Sequence, residues 1–340
     1  MKRTLCWRIM GASLLTAATL SGCQTQQEAE PAQAAIITLP RQAGPTELQA
    51  QRLEGARRAL DDGDYDLALT MFRDILAENP TITTAYVGIG DIHLVRKDYD
   101  KAEPAFARAC RIEPRNFDAQ YGHGVSLQML ERFLEAIKAY LRALSIKPES
   151  MMANLHIATT YLQIDEAHNA VEYAEKAVEA DPASGPARAN LGAVYEKVGR
   201  NAEAIEQYLI ASELMEASPQ LTMNLVNTLA KEKRYRETVN AAENLIKVEP
   251  SVNAYERLGW AHFRLGEYAE SLEAYRAAVA MDPAHWPSLN GVGVNALNKW
   301  LLSKKTDHQA ALEARDAFRR SLRANPEQPK VVRMLLKYNL

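Results

Sequence analysis

Apolar residues return every three or four positions over short stretches of this chain, stop at a polar turn, and then return again. Within residues 83–116, Tyr86, Ile89 and His93 form one stripe, RKDYD interrupts it, and Ala102, Phe106 and Ala109 form a second before Pro114 closes the phrase. Each stripe predicts a helix of a few turns, and the interruption predicts a tight turn. The closing phrase recurs. ILAENP ends at Pro80, RIEP at Pro114, SIKP at Pro148, EADP at Pro182, KVEP at Pro250, AMDP at Pro283 and RANP at Pro326, the first four 34 residues apart. The register divides the chain into units at 49–82, 83–116, 117–150, 151–184, 185–218, 219–251, 252–285 and 286–328, with 329–340 predicted as a capping helix.

Glycine pairs follow the same interval. Gly88/Gly90, Gly122/Gly124 and Gly291/Gly293 each read Gly-x-Gly, a spacing that can open a phosphate-binding turn. Gly88 to Gly122 is 34 residues and Gly122 to Gly291 is five periods less one. One structural position therefore recurs, and three phosphate loops are not predicted. Gly90, Gly124, Gly192 and Gly259, with Ala68, Ala102, Ala136, Ala170 and Ala204, are expected to let paired helices approach closely. Close packing must offset the roughly 1 kcal/mol that each helical glycine costs relative to alanine. For Gly88 and Gly122 two uses stay open: a dent in a binding surface, or helix packing alone.

Leu191, Gly192, Tyr195, Ala204 and Tyr208 in one unit, and Tyr255, Leu258, Gly259, Tyr275, Ala278 and Pro283 in another, resemble the tetratricopeptide repeat. The resemblance implies an all-α fold, an α-solenoid of about eight helix-turn-helix units forming a right-handed superhelix over residues 46–328. The physics points the same way, because two amphipathic helices cannot bury their faces alone and neighbouring units supply the missing partner. Departures are few. Val226 and Thr238 stand where Gly and Ala are expected, the fifth unit ends on Glu216 without a proline, and Ala56 takes the glycine position in the first. The eighth unit carries about nine extra residues around Trp300, Leu301, Leu302, Lys304 and Lys305. They predict a longer helix pair burying its own apolar side, or a second contact surface.

Charge and composition narrow the possibilities. The 340 residues carry a formal charge of -3, and the first 22 hold Lys2, Arg3 and Arg8 with no acid, which leaves the rest at -6. A mildly acidic body offers no electrostatic footprint for nucleic acid. The N-terminus has a basic start, the apolar run IMGASLLTAATL and then LSGC. Leu20, Ser21, Gly22 and Cys23 resemble the bacterial lipobox, which implies a signal peptide over 1–22 and lipid attachment at Cys23. Residues 23–45 then read as a lipidated cysteine and flexible tether spanning roughly 25 Å on average. Cys6 leaves with the signal, so Cys110 remains as one free thiol and is expected to be a buried small hydrophobe.

In the repeat family the first helices of successive units line a concave groove. Carried onto this chain, the groove positions are Val87, Asp91 and Leu94, then Tyr121, Val125 and Met129, then Leu155, His156 and Thr159. Next come Asn190, Ala193, Asn224, Asn227 and Lys231, and finally Arg257, Trp260, Arg264 and Asn290. The first half is apolar with an aromatic, suited to an amphipathic helix or an apolar peptide, and the second presents amides and cations. The family's carboxylate clamp is only partly matched: Asn224, Asn227 and Arg257 sit in place, but Met223 and Pro287 stand where lysines belong. The seven histidines show no metal-ligand spacing, and no P-loop or nucleophile elbow occurs, so no catalytic residue, metal or small-molecule cofactor is expected. The chain resembles tetratricopeptide lipoproteins of envelope assembly, including those of type IV and Flp pili. That implies a scaffold for protein partners in a bacterial envelope, anchored to the outer membrane, or alternatively an adaptor that recruits peptidoglycan or glycan enzymes.

Overall fold

The computed structural model describes residues 44–216 and 218–340. The proposed signal peptide, Cys23 and nearly all of the tether lie outside them. Every regular element among the described residues is α-helical. The pairs are α1 Glu47–Asp61 with α2 Tyr65–Glu78, α3 Thr83–Val95 with α4 Tyr99–Ile112, α5 Phe117–Met129 with α6 Phe133–Leu144, and α7 Met151–Gln163 with α8 Ala167–Ala180. They continue as α9 Gly185–Lys197 with α10 Asn201–Leu214, α11 Pro219–Lys231 with α12 Tyr235–Val248, α13 Val252–Leu265 with α14 Tyr268–Met281, and α15 Trp286–Leu302 with α16 His308–Ala324. A last helix, α17 Pro329–Tyr338, packs on α16.

Local chemistry starts and stops these helices at the same place in each unit. Asn116, Ser150, Ser184, Ser218 and Ser251 accept a hydrogen bond from the backbone N–H three residues on, capping α5, α7, α9, α11 and α13. The turn inside the eighth unit has two left-handed residues, Lys304 and Lys305, and that of each of the first seven has one. Gly63, Gly199 and Gly266 supply it in three units, while Lys97, Glu131, Asp165 and Lys233 adopt φ of 59 to 61° in four others. The turn between units is latched by a side chain six residues past the closing proline. Gln120 Nε2 donates to the Pro114 carbonyl at 3.0 Å, Asn154 Nδ2 to Pro148 at 2.9 Å and Arg188 Nε to Pro182 at 3.1 Å.

Each helix packs on its partner and on the next unit, and successive first helices also touch (α1 on α3, α3 on α5, and onward to α13 on α15), whereas successive second helices do not pack comparably. First helices therefore crowd the inner side of the superhelix and second helices splay on the outer side. The core is a column of rings set against missing side chains. Phe106 is fully buried, and a Cβ at Gly90 would fall 2.6 Å from its ring and one at Gly122 2.3 Å from the other side. Tyr275 sits the same way between Gly259 (2.9 Å) and Gly291 (2.4 Å), and Phe72 meets Gly88 at 2.4 Å. Gly88 and Gly122 are thus required by the ring of the preceding unit.

The irregular units obey the same volume rule. The eighth residue of α11 is Val226 and the eighth of α12 is Ala242, both fully buried, where the previous unit has Gly192 against Tyr208. Side-chain volume has moved from one helix to the other. Thr238 buries its hydroxyl by donating to the Arg234 carbonyl at 2.9 Å. In the eighth unit both helices run to 17 residues, and the additional length is partly self-covering. Trp300 packs edge-on to Tyr338 of α17 and donates to the Lys305 carbonyl, while Leu302 is left 70% exposed.

Candidate binding groove

The inner face carries three clefts, each built by first helices from neighbouring units. The first, about 250 Å³, is lined by Val87, Asp91 and Leu94 from α3, Tyr121 from α5 and Leu60 from α1, with Gly88 and Gly122 beside them. Two groups the sequence reading did not include also enter it, Asp118 from the first turn of α5 and Arg57 from α1. Asp91 accepts no hydrogen bond and makes no ion pair among the described residues. Burial, followed by repulsion from Asp118, pushes its carboxyl up to about 6. The cleft has a mixed polar and apolar wall in which Asp91 makes no ion pair, although the Arg57 guanidinium lines the same space.

Tyr121 begins an aromatic cluster beside that slot. It stacks on Phe117 at 5.8 Å, tilts against Tyr140 at 6.1 Å and meets His156 edge-on at 5.7 Å. His156 lies along Tyr140, and its Nδ1 faces Gln128 Oε1 at 3.2 Å, while the Tyr140 hydroxyl donates to the same oxygen at 2.8 Å. Burial holds the His156 pKa below its ordinary value, so the ring is neutral at pH 7. His156 is thereby committed to holding units together, with only part of its surface toward the groove. Val125 and Leu155 are half-buried against neighbouring core, and Met129 is exposed. Asn190 bridges to Thr159 with its Nδ2 at 2.9 Å, leaving its buried Oδ1 without a partner, and Ala193 is half-buried in the same helix.

The second cleft, about 350 Å³, brings together Asn227 and Lys231 of α11, Arg257 and Trp260 of α13, and Glu196 of α9. Lys231 Nζ lies 2.6 Å from Glu196, so that cation is already compensated, and the buried Asn227 Oδ1 has no donor. Asn224, one turn earlier, accepts from Gln220 at 3.0 Å. The third cleft, about 360 Å³, has Trp260, Arg264, Glu256, Trp286 and Asn290 in its walls. Arg264 donates to the Tyr235 hydroxyl at 2.7 Å and lies over Tyr235 and Trp260. Asn290 turns toward the C-terminal cap, donating to Gln328 Oε1 at 2.6 Å and accepting from Ser321 Oγ at 2.7 Å. Burial raises the Glu256 carboxyl.

These walls offer shape, apolar area, amides and isolated charges. Among the described residues no group of three His, Cys, Asp or Glu side chains is placed to hold a metal ion, and no helix is long and apolar enough to cross a membrane. The buried histidines outside the groove are structural. His93 sits 3.6 Å from Asp98, and His262 Nδ1 lies 2.7 Å from Glu267.

Family models described as tetratricopeptide repeat match residues 53–114, 153–184 and 223–285. No curated protein matches the chain significantly. Among solved structures, PilF of Pseudomonas aeruginosa aligns over 62% of this chain and 96% of its own, with a TM-score of 0.55 at 16% identity. PilW, a type IV pilus biogenesis factor, aligns over 59% and 94% with a TM-score of 0.53 at 19% identity. YrrB, with an unusual peptide-binding site, aligns over 58% and 98% with a TM-score of 0.50 at 17% identity. At these identities the likeness is one of fold.

Proposed function

We propose that the chain, whose residues 53–114, 153–184 and 223–285 match tetratricopeptide-repeat models, is a scaffold of that kind that holds protein partners along its inner groove and catalyses no reaction of its own. The observation that carries this is the row of three clefts, each open on the inner face and each walled by several units, with a buried unpartnered oxygen at Asn227 and a carboxylate at Asp91 that makes no ion pair. A surface left this way gains by receiving a peptide or helix: apolar side chains fill the slot near Val87 and Leu94, and a main-chain N–H satisfies Asn227.

The envelope is the setting in which we place it. Leu20-Ser21-Gly22-Cys23, behind a basic and an apolar segment, supports a lipid anchor at Cys23, and the fold likeness to PilF and PilW supports a role in assembling a pilus or secretion complex. The groove is tested by crosslinking and affinity purification of the full chain from native envelopes. Val87→Arg places a bulky cation one turn from Asp91 on α3, within the first cleft, and Trp260→Ala removes a wall shared by the other two. Each variant, checked for native helicity and melting temperature, is expected to weaken partner capture at least tenfold, about 1.4 kcal/mol. Unchanged recovery of the same partners by both folded variants would rule the groove out. Recovery of peptidoglycan or glycan enzymes, with no pilus or secretion component, would replace assembly by enzyme recruitment. Mass analysis of the chain before and after Cys23→Ala reports the anchor independently.

A further inference from the structure

We infer that a second binding site lies on the outer face, between α4 and α6, and that it takes an acidic peptide segment in extended form. The splaying of second helices leaves a cleft of about 510 Å³ there, over the outward side of α5, lined by Cys110, Arg111, Arg115, Gln120, His123 and Arg142. Small residues keep it open, since Ala107, Cys110 and Ser145 sit where larger ones would close the gap. Cys110 is accordingly half-buried rather than sealed in the core.

Its charge is concentrated, with three unpaired arginines lining one cleft. Arg52, Arg132, Arg200, Arg234 and Arg276 each hold a carboxylate. Arg111, Arg115 and Arg142 make no ion pair among the described residues, in a chain whose formal charge is -3. The acids that come near are engaged elsewhere: Glu103 by Arg132 and His123, and Glu113 by the Asn116 amide. Cys110 offers no compensating charge, because burial pushes its thiol up to about 11 even with Arg142 beside it.

Two buried acceptors make the site more than a basic patch. Gln120 is only 3% exposed; its Nε2 is spent on the Pro114 carbonyl, which leaves Oε1 without a donor. His123 faces Glu103 through Nε2 at 3.2 Å, and its buried Nδ1 also lacks a partner. An occupant must therefore bring negative charge for the arginines and N–H donors for the floor. Carboxylates fit the guanidinium fork in bidentate fashion, and an extended backbone presents an N–H at each residue. An Asp- or Glu-rich segment supplies both, whereas a simple anion supplies only the charge. The site is independent of the groove, because Tyr121 and Val125 leave α5 on the inner side while Gln120 and His123 line the outer one.

The test is a titration of the full chain with a fluorescein-labelled heptaglutamate peptide at low salt, followed by anisotropy, with heptaglutamine as the uncharged control. In parallel, alkylation of Cys110 is mapped by mass spectrometry, so that occupancy of this cleft is read at its own wall. The heptaglutamate is expected to bind and to slow Cys110 alkylation severalfold. Arg111→Gln/Arg142→Gln, both at exposed positions, is expected to weaken binding at least tenfold, and Gln120→Leu severalfold. Absent binding, binding without protection of Cys110, or equal affinity in the double arginine variant overturns the inference. Full displacement by inorganic phosphate at matched charge overturns the peptide assignment, because it shows that the floor contributes nothing.

Discussion

Phe106→Ala is expected to destabilise the solenoid by about 3–5 kcal/mol, the usual range for removing a fully buried ring. The loss falls on two units at once, since the ring fills the space beside Gly90 in its own unit and beside Gly122 in the next. Gly122→Ala provides the sharper comparison. Alanine is worth about 1 kcal/mol over glycine in a helix interior, but here its Cβ would stand 2.3 Å from the ring. Overpacking of that kind costs about 1–3 kcal/mol, so the substitution is expected to lower stability despite the better helix former. In the Phe106→Ala background the obstruction is gone and the same change is expected to raise stability. Urea unfolding followed by circular dichroism on the four proteins of this cycle gives the coupling directly. If Gly122→Ala stabilises equally with and without the ring, the glycine is not there for Phe106 and the ring column does not explain the period.

That ring column is also why the fold could be read from the sequence. Phe106 and Tyr275 each forbid a Cβ at two places, one in their own unit and one in the next, and Phe72, Tyr140, Tyr208 and Phe318 each forbid one. Glycines therefore recur in step with the repeat and mark the helix pairs. The sixth unit looked irregular because a helix-by-helix reading cannot see that Val226 and Ala242 exchange volume. The groove was legible only as a set of positions. Whether a side chain at such a position is free depends on partners far along the chain: Gln128 for His156, Glu196 for Lys231, and Gln328 for Asn290, separated by 28, 35 and 38 residues. Asp118 and Arg57 enter the first cleft from a first turn and from a preceding unit, where periodicity carries no signal. The outer cleft was hidden for a related reason. Cys110 reads as a small core residue until the divergence of α4 and α6 leaves it on an open wall.

Asp91→Asn is expected to make the protein more stable at pH 7, by about 1–2 kcal/mol, and to leave it nearly unchanged near pH 4. The carboxyl titrates near 6 in the folded chain against an ordinary value of 3.8. Between those values the folded state holds more protons than the unfolded state, so this group's effect is that stability falls as pH rises from about 4 to about 6 and is then constant. A full displacement of that size corresponds to about 3 kcal/mol, and partial solvent access reduces it to the lower figure. Carboxylates such as Asp98, Glu135 and Glu267 act in the opposite direction, their hydrogen-bonded forms holding their pKa values down. The quantity to follow is therefore the difference between wild type and Asp91→Asn, from denaturant unfolding at pH 4.5, 5.5 and 7. A difference that stays flat with pH would mean that Asp91 carries an ordinary solvated charge and that the first cleft is no special environment. A difference that grows toward neutrality means that the fold retains a costly charge in a groove, next to Asp118 and without an ion pair to the Arg57 guanidinium that lines the same cleft. Such a charge is stabilised once a partner brings a lysine or arginine into the slot. The same substitution that strengthens the free protein should then weaken its hold on that partner, a pairing of effects that a residue serving only the fold would not produce.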